Sequence, residues 1–190
     1  MSIRTTLLAV LMMLMATPAV KADTFDINLN NDSAQFLYIT PFTSDAGING
    51  ANLEVGMLYT EADDYLGMVG LDIKGEAGSG SPGLIAGVGL RGYGIGTSRA
   101  DIGALAIGGL VHYSPPSLNR LGLVGQIYYS PEILTFMDGK HLQSVELRVE
   151  YKVLSQAVVY LGYRNIDADL DGGGSIDIDD GGHLGLRFMF

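Results

Sequence analysis

The sequence has no cysteine, no tryptophan and only three histidines among its 190 residues. Without cysteine there can be no disulfide, no thiolate zinc site and no cysteine nucleophile. Basic residues are also scarce: 11 Lys and Arg face 21 Asp and Glu, a formal net charge of −10. A surface of that sign repels nucleic acid and favours divalent cations or basic partners. Long apolar runs are missing beyond the first residues. Hydrophobic side chains make up 47% of the chain, yet after residue 22 none of the runs approaches the ~20 residues of a spanning helix.

The chain opens with MSIRTTLLAVLMMLMATPAVKAD, which carries Arg4, an apolar run from Leu7 to Met15 and a small-residue exit through Pro18, Ala19 and Ala22. These are the parts of a secretory signal peptide, cut after Ala22 or at a second site near Ala19. The expected organisation is a leader over 1–22 and one domain over 23–190. Loss of Arg4 and Lys21 with the leader deepens the charge from −10 to −12.

Apolar residues then recur at spacing two, the mark of strands with one face in an apolar environment. In HLQSVELRVEYKVL, residues 141–154, Val145, Leu147, Val149, Tyr151 and Val153 share one face, while Ser144, Glu146, Arg148, Glu150 and Lys152 share the other. The same alternation sets Leu53, Val55, Met57 and Tyr59 against Glu54, and Val69, Leu71 and Ile73 against Asp72 and Lys74. Glycines recur through Gly83–Gly96 and Gly103–Gly109, each costing about 1 kcal/mol inside a helix, whereas a small barrel uses them for curvature and for room inside. The pattern predicts ten strands, at about 24–31, 34–41, 51–60, 64–75, 84–96, 100–113, 120–129, 140–154, 157–168 and 181–190. Should the first two not form separately, nine or eight remain. Each is long enough to cross a bilayer at a tilt.

A soluble β-sandwich would alternate too. Two features favour a transmembrane antiparallel up-and-down β-barrel. The faces read as inward hold Glu54, Asp72, Lys74, Arg91, Glu146, Arg148, Glu150, Lys152, Arg164 and Arg187, paired signs suited to a narrow polar lumen. The chain also ends HLGLRFMF, with Leu184, Leu186, Phe188 and Phe190 on one face. That ending resembles the terminal strand by which bacterial outer-membrane barrels are recognised by their assembly machinery. Together with FDINLNNDSAQFLYIT at residues 25–40 and the glycine-rich strands, it resembles the YfaZ family of small Gram-negative outer-membrane proteins across the whole mature chain. The resemblance implies an outer-membrane barrel of unassigned activity and transfers no catalytic or binding residues.

The residues offer little catalysis. His141 and Ser144 are three apart on a strand and point to opposite faces; His112 and Ser114 share a face but lie beside Pro115 and Pro116. His183 sits close in sequence to Asp180, near the expected outer rim, where a metal or proton role is open. The stretch DADLDGGGSIDIDD, residues 167–180, places Asp169, Asp171, Asp177 and Asp180 at carboxylate positions of an EF-hand-like loop, with glycine at its centre. Gly173 replaces one ligand, Asp180 stands where a longer Glu is usual, and no helix flanks the segment, so it reads as an acidic outer loop and at most a weak calcium site. The expected protein is an integral barrel of the bacterial outer membrane, monomeric, structural or narrowly conducting, without enzymatic activity or an obligatory cofactor. Its expected partners are outer-membrane lipid, lipopolysaccharide and the barrel assembly machinery. Two other classes remain: a divalent-cation-dependent lipopolysaccharide or surface interaction protein, and a lipid-modifying enzyme.

Overall fold

The structure, a computed structural model, describes residues 23–42, 50–78 and 80–190. The expected leader over 1–22 lies outside the described residues, as do 43–49 and Ser79. The rest folds into β1 (Thr24–Leu29), β2 (Ser33–Pro41), β3 (Ala51–Thr60), β4 (Tyr65–Glu76), β5 (Leu84–Gly96), β6 (Asp101–Tyr113), β7 (Leu121–Ser130), β8 (Thr135–Met137), β9 (Gly139–Leu154), β10 (Ala157–Leu170) and β11 (Ser175–Met189). Every pairing is antiparallel. Each of ten strands pairs with its neighbours, and β1 against β11 closes the ring. The fold is all-β, a closed ten-stranded up-and-down barrel, and both first strands form. Residues 23 and 190 lie at one end, here the inner end; the short turns at 30–32, 61–64, 97–100 and 171–174 lie at the outer end.

The eleventh strand, β8, belongs to a broken wall strand. The inner part of β6 pairs with β7, from Ile107↔Tyr129 to Tyr113↔Leu123, and its outer part pairs with β8, from Ile102↔Met137 to Ala104↔Thr135. Between them a 3-10 turn at Glu132–Leu134 is looped out. Ser130 and Thr135 close the gap: their hydroxyls lie 2.9 Å apart, Ser130 Oγ donates to Leu134 O at 3.1 Å, and Thr135 Oγ1 donates to Pro131 O at 3.0 Å. Sequence periodicity reads 131–139 as an outer loop because the inserted residues break the period of two.

The last strand begins at Ser175, where the sequence places an acidic loop up to Asp180. Ile176 and Ile178 explain the difference, because both point inward and are buried. The turn at Asp171–Gly174 is made possible by Gly173 and Gly174, at φ +85° and +96°, a region L side chains avoid. A bulge follows: Ile166 faces Asp179 while Asp167 faces Asp177, so Ile178 is the extra residue and Asp179 also turns inward.

Outside, the wall is apolar. Val55, Met57, Val69, Leu71, Ile107 and Leu147 are among the exposed hydrophobics, bounded by Tyr59, Tyr65, Tyr129 and Tyr163 toward the outer end and by Tyr113, Tyr151 and Phe188 toward the inner. An apolar band between aromatic girdles is the surface a barrel presents to a bilayer. Inside, glycine makes room for large side chains: a Cβ on Gly108 would overlap the Tyr128 ring, and one on Gly185 the Tyr160 ring.

Candidate functional site

The interior divides into two layers. Away from the closing seam the outer half is mainly apolar, with Leu58, Leu66, Met68, Ile102, Leu142 and Ile166 buried alongside Tyr93, Ile95, Ile176 and Ile178 in one cluster. Leu58 and Leu142 have no solvent exposure at all. Inward faces read from sequence as a polar lumen are thus polar only in part. Apolar side chains line the inward face near the outer turns and charged ones the remainder.

The inner half is ionic. Glu54 on β3 accepts from Arg91 on β5 at 2.8 Å, and the same guanidinium reaches Gln126 on β7 at 3.0 Å while lying 3.8 Å above the Tyr128 ring. Gln126 passes the chain on by donating to Glu146 on β9. Arg148 stands between Glu146 and Glu150, at 3.1 and 2.7 Å. Arg187 on β11 then joins Glu150 at 3.0 Å to Asp26 on β1 at 2.9 Å, and Tyr160 donates to Asp26. One hydrogen-bonded chain therefore crosses the interior and arrives at the closing seam. Lys74 adds a branch, 3.2 Å from Asp72 and 3.7 Å from Glu54.

A second cluster clamps the seam nearer the outer end. Arg164 on β10 is almost fully buried; its Nε meets Asp179 at 2.6 Å, and its Nη1 donates to Asn28 at 2.9 Å and to Gln35 at 2.5 Å. Asp179 also accepts from Ser33 at 2.6 Å and Asn30 at 3.0 Å. Four strands, β10, β11, β1 and β2, meet through this one guanidinium. A planar, permanently charged fork suits such a task better than the point charge of a lysine.

Of the ten charges assigned to the lumen, nine join these ion pairs: Glu54, Asp72, Lys74, Arg91, Glu146, Arg148, Glu150, Arg164 and Arg187. Lys152 is exposed at the inner mouth and joins none of the pairs among the described residues. Sequence reasoning missed Asp26, Asn28 and Gln35, although FDINLN alternates polar and apolar residues. It missed Asp179, which faces inward through a bulge. It also placed His183 near the outer rim. The side chain instead lies buried in the lumen with Nε2 3.3 Å from Glu146, because β11 runs on past it in both directions.

The four acidic candidates do not converge. Asp169 faces Ser175, Asp177 faces Asp167 and Asp180 faces Asn165 on different rungs, with Asp171 in the turn. Among the described residues no three His, Asp or Glu side chains gather as a metal-holding group. Asp180 accepts from Tyr163 instead. Neither serine and histidine pair weighed from the sequence forms among the described residues: Tyr129 bonds His141 at 3.1 Å on the outer surface, and Ser114 donates to Leu121 O at 2.9 Å. Leu184, Leu186 and Phe188 face outward on β11, and Phe190 lies just beyond it, its N–H donating to Asp23 O at 2.9 Å.

Solved structures similar to this chain include one described under "Unveiling the Mechanism Behind the in-meso Crystallization of Membrane Proteins", at 13% identity and a TM-score of 0.43 over 89% of this chain and 83% of that one. The outer membrane channel DcaP of Acinetobacter baumannii is similar at 12% identity and a TM-score of 0.41, over 88% of this chain and 62% of that one. Outer-membrane expressed OmpT of Vibrio cholerae is similar at 16% identity and a TM-score of 0.41, over 83% and 56%. The chain thus spans little more than half the length of the latter two. Among curated proteins none matches. The family model described as YfaZ precursor matches residues 3–190, a description that accords with a leader at the N-terminus. A β-barrel of the outer-membrane type, matched over nearly its whole length, the chain belongs to the YfaZ family.

Proposed function

We propose that the protein spans the bacterial outer membrane as a structural barrel with a closed lumen, neither an enzyme nor a channel. One observation carries this: the outer part of the interior is filled mainly by buried apolar side chains, and the cavity where it meets the ionic layer, between Leu66, Met68, Arg91 and Arg148, measures about 20 Å³. That is room for about one water molecule. A hydrated ion would have to shed its shell and then pass Leu58, Leu66 and Leu142, a hydrophobic constriction of the kind that blocks conduction by dewetting. The ionic layer below pairs its charges within itself and supports a role in holding strands together.

Assembly would use the outward row Leu184, Leu186, Phe188 and Phe190, and the lipid partner would cover the apolar band. Solute efflux from vesicles containing the folded protein tests the closed lumen. Potassium and small sugars should leak no faster than from vesicles without protein; rapid, protein-dependent release of either would refute the reading.

A further inference from the structure

The looped-out turn between β7 and β8 presents an apolar surface that the barrel itself does not use. In EILTFMD, residues 132–138, Ile133 is 83% exposed, Phe136 55% and Met137 72%. Of the polar side chains in the segment, Thr135 is buried against Ser130 and Pro131, Asp138 is exposed but accepts from the Asp101 N–H at 3.0 Å, and Glu132, 4.0 Å from Lys140, stays exposed. Asp138 N–H in turn donates to Asp101 O at 3.1 Å, and Leu134 N–H to Pro131 O at 2.8 Å. The backbone of the segment is therefore hydrogen-bonded at Leu134 and, to the barrel, at Asp138, Thr135 is buried, and three large apolar side chains are left exposed. Clusters of this kind mark interaction sites.

We infer that Ile133, Phe136 and Met137 form an anchor that enters the hydrocarbon edge of the outer leaflet beside the barrel. Continuity identifies the occupant. Phe136 stands opposite Gly103 on the outward face of β6, two residues, or about 7 Å of strand, beyond Leu105 of the apolar band. Tyr129, a girdle residue, precedes the turn by three positions. Interfacial elements bury their apolar face by about 5–10 Å at this boundary. Three side chains fall far short of the roughly 800 Å² that each partner gives to a stable protein interface, which favours lipid over a second chain. Elsewhere the outer end carries Asp32, Glu61, Asp63, Asp169, Asp171 and Asp177, so the anchor is one-sided and would set the barrel's depth and tilt from the β6–β9 side.

The absence of tryptophan makes a direct test simple. The inference uses the membrane-spanning reading for orientation, so single reporters are needed in the band as well as in the turn. Ile133→Trp, Phe136→Trp, Leu147→Trp and the solvent reference Glu61→Trp are folded separately into vesicles with bromine either near the headgroup or near the chain end. Blue-shifted emission from the two turn reporters, quenched more by shallow bromine than by deep bromine, is the expected result, with Leu147→Trp quenched more by deep. Solvent-like, unquenched emission matching Glu61→Trp overturns the anchor. Blue-shifted emission that neither bromine position quenches also overturns it, because protein then covers the patch. If Leu147→Trp itself stays unquenched, the membrane-spanning reading fails, and the anchor with it.

Discussion

The outer and inner halves of the barrel interior are built from the same strands and solve different problems. Around Leu58, Leu66 and Leu142 the interior resembles the core of a soluble protein, where apolar side chains exclude water without needing exact partners. Around Arg91, Arg148 and Arg187, and along the closing seam at Arg164, it is an ion-paired lattice in which each charge requires a particular partner on a particular strand. Buried ion pairs add little net stability over apolar residues of similar size. Their distinct contribution is to penalise the wrong arrangement. The closing strand β1 has six residues, so its ladder is short and a slip in its register would be cheap on backbone grounds alone. Asp26 on Arg187 and Asn28 on Arg164 make a slip expensive by stranding buried charges. One half seals the barrel and the other fixes how it closes.

Substitutions can separate these two tasks. The largest effect should come from Arg164→Ala, which leaves Asp179 buried without its cation and frees Asn28 and Gln35. Urea unfolding of the folded protein should show a loss of about 3–5 kcal/mol, and a loss below about 1 would remove the clamp from the account. Leu142→Ala should follow, at about 2–5 kcal/mol for a buried leucine, by the same measurement. Glu54→Leu and Arg91→Met offer a sharper comparison. Either alone should cost several kcal/mol by stranding a charge, while the double variant should lie within about 1–2 of the parent. If the double variant loses as much as the two singles together, the pair is not acting as a pair. Lys140→Ala, at an exposed contact of 4.0 Å to Glu132, should change stability by less than about 1 kcal/mol.

How much of this was legible in the sequence depends on which face and which end of a strand is considered. Outward faces are apolar through the membrane band, so alternation in Leu53–Tyr59 or Val145–Val153 locates strands and register directly. Inward faces change character partway along. Near the outer turns the inward faces turn apolar too, so Leu58 and Leu66 carry no sign of whether they meet lipid or core, and Leu142, between His141 and Gln143, breaks the expected alternation. Their role appears only when the ring closes and ten strands bring them together. The hairpin carrying Asp169 and Asp177 was obscured by composition, since six aspartates over residues 167–180 outweigh the alternation of Ile176 and Ile178. Asp179 was beyond reach of any period-two count, because a bulge adds a residue that the count assigns to the opposite face.

The central claim is that the apolar outer half closes the barrel, and single-channel recording in planar bilayers tests it most directly. Folded wild-type protein should give no discrete current steps across the working voltage range. A variant with Leu58, Leu66 and Leu142 all changed to serine, provided it still folds, is the reference for what an unsealed lumen would pass. Regular steps from the wild type, unchanged in the serine variant, would show that ions cross by a route the apolar layer does not control and would contradict the account.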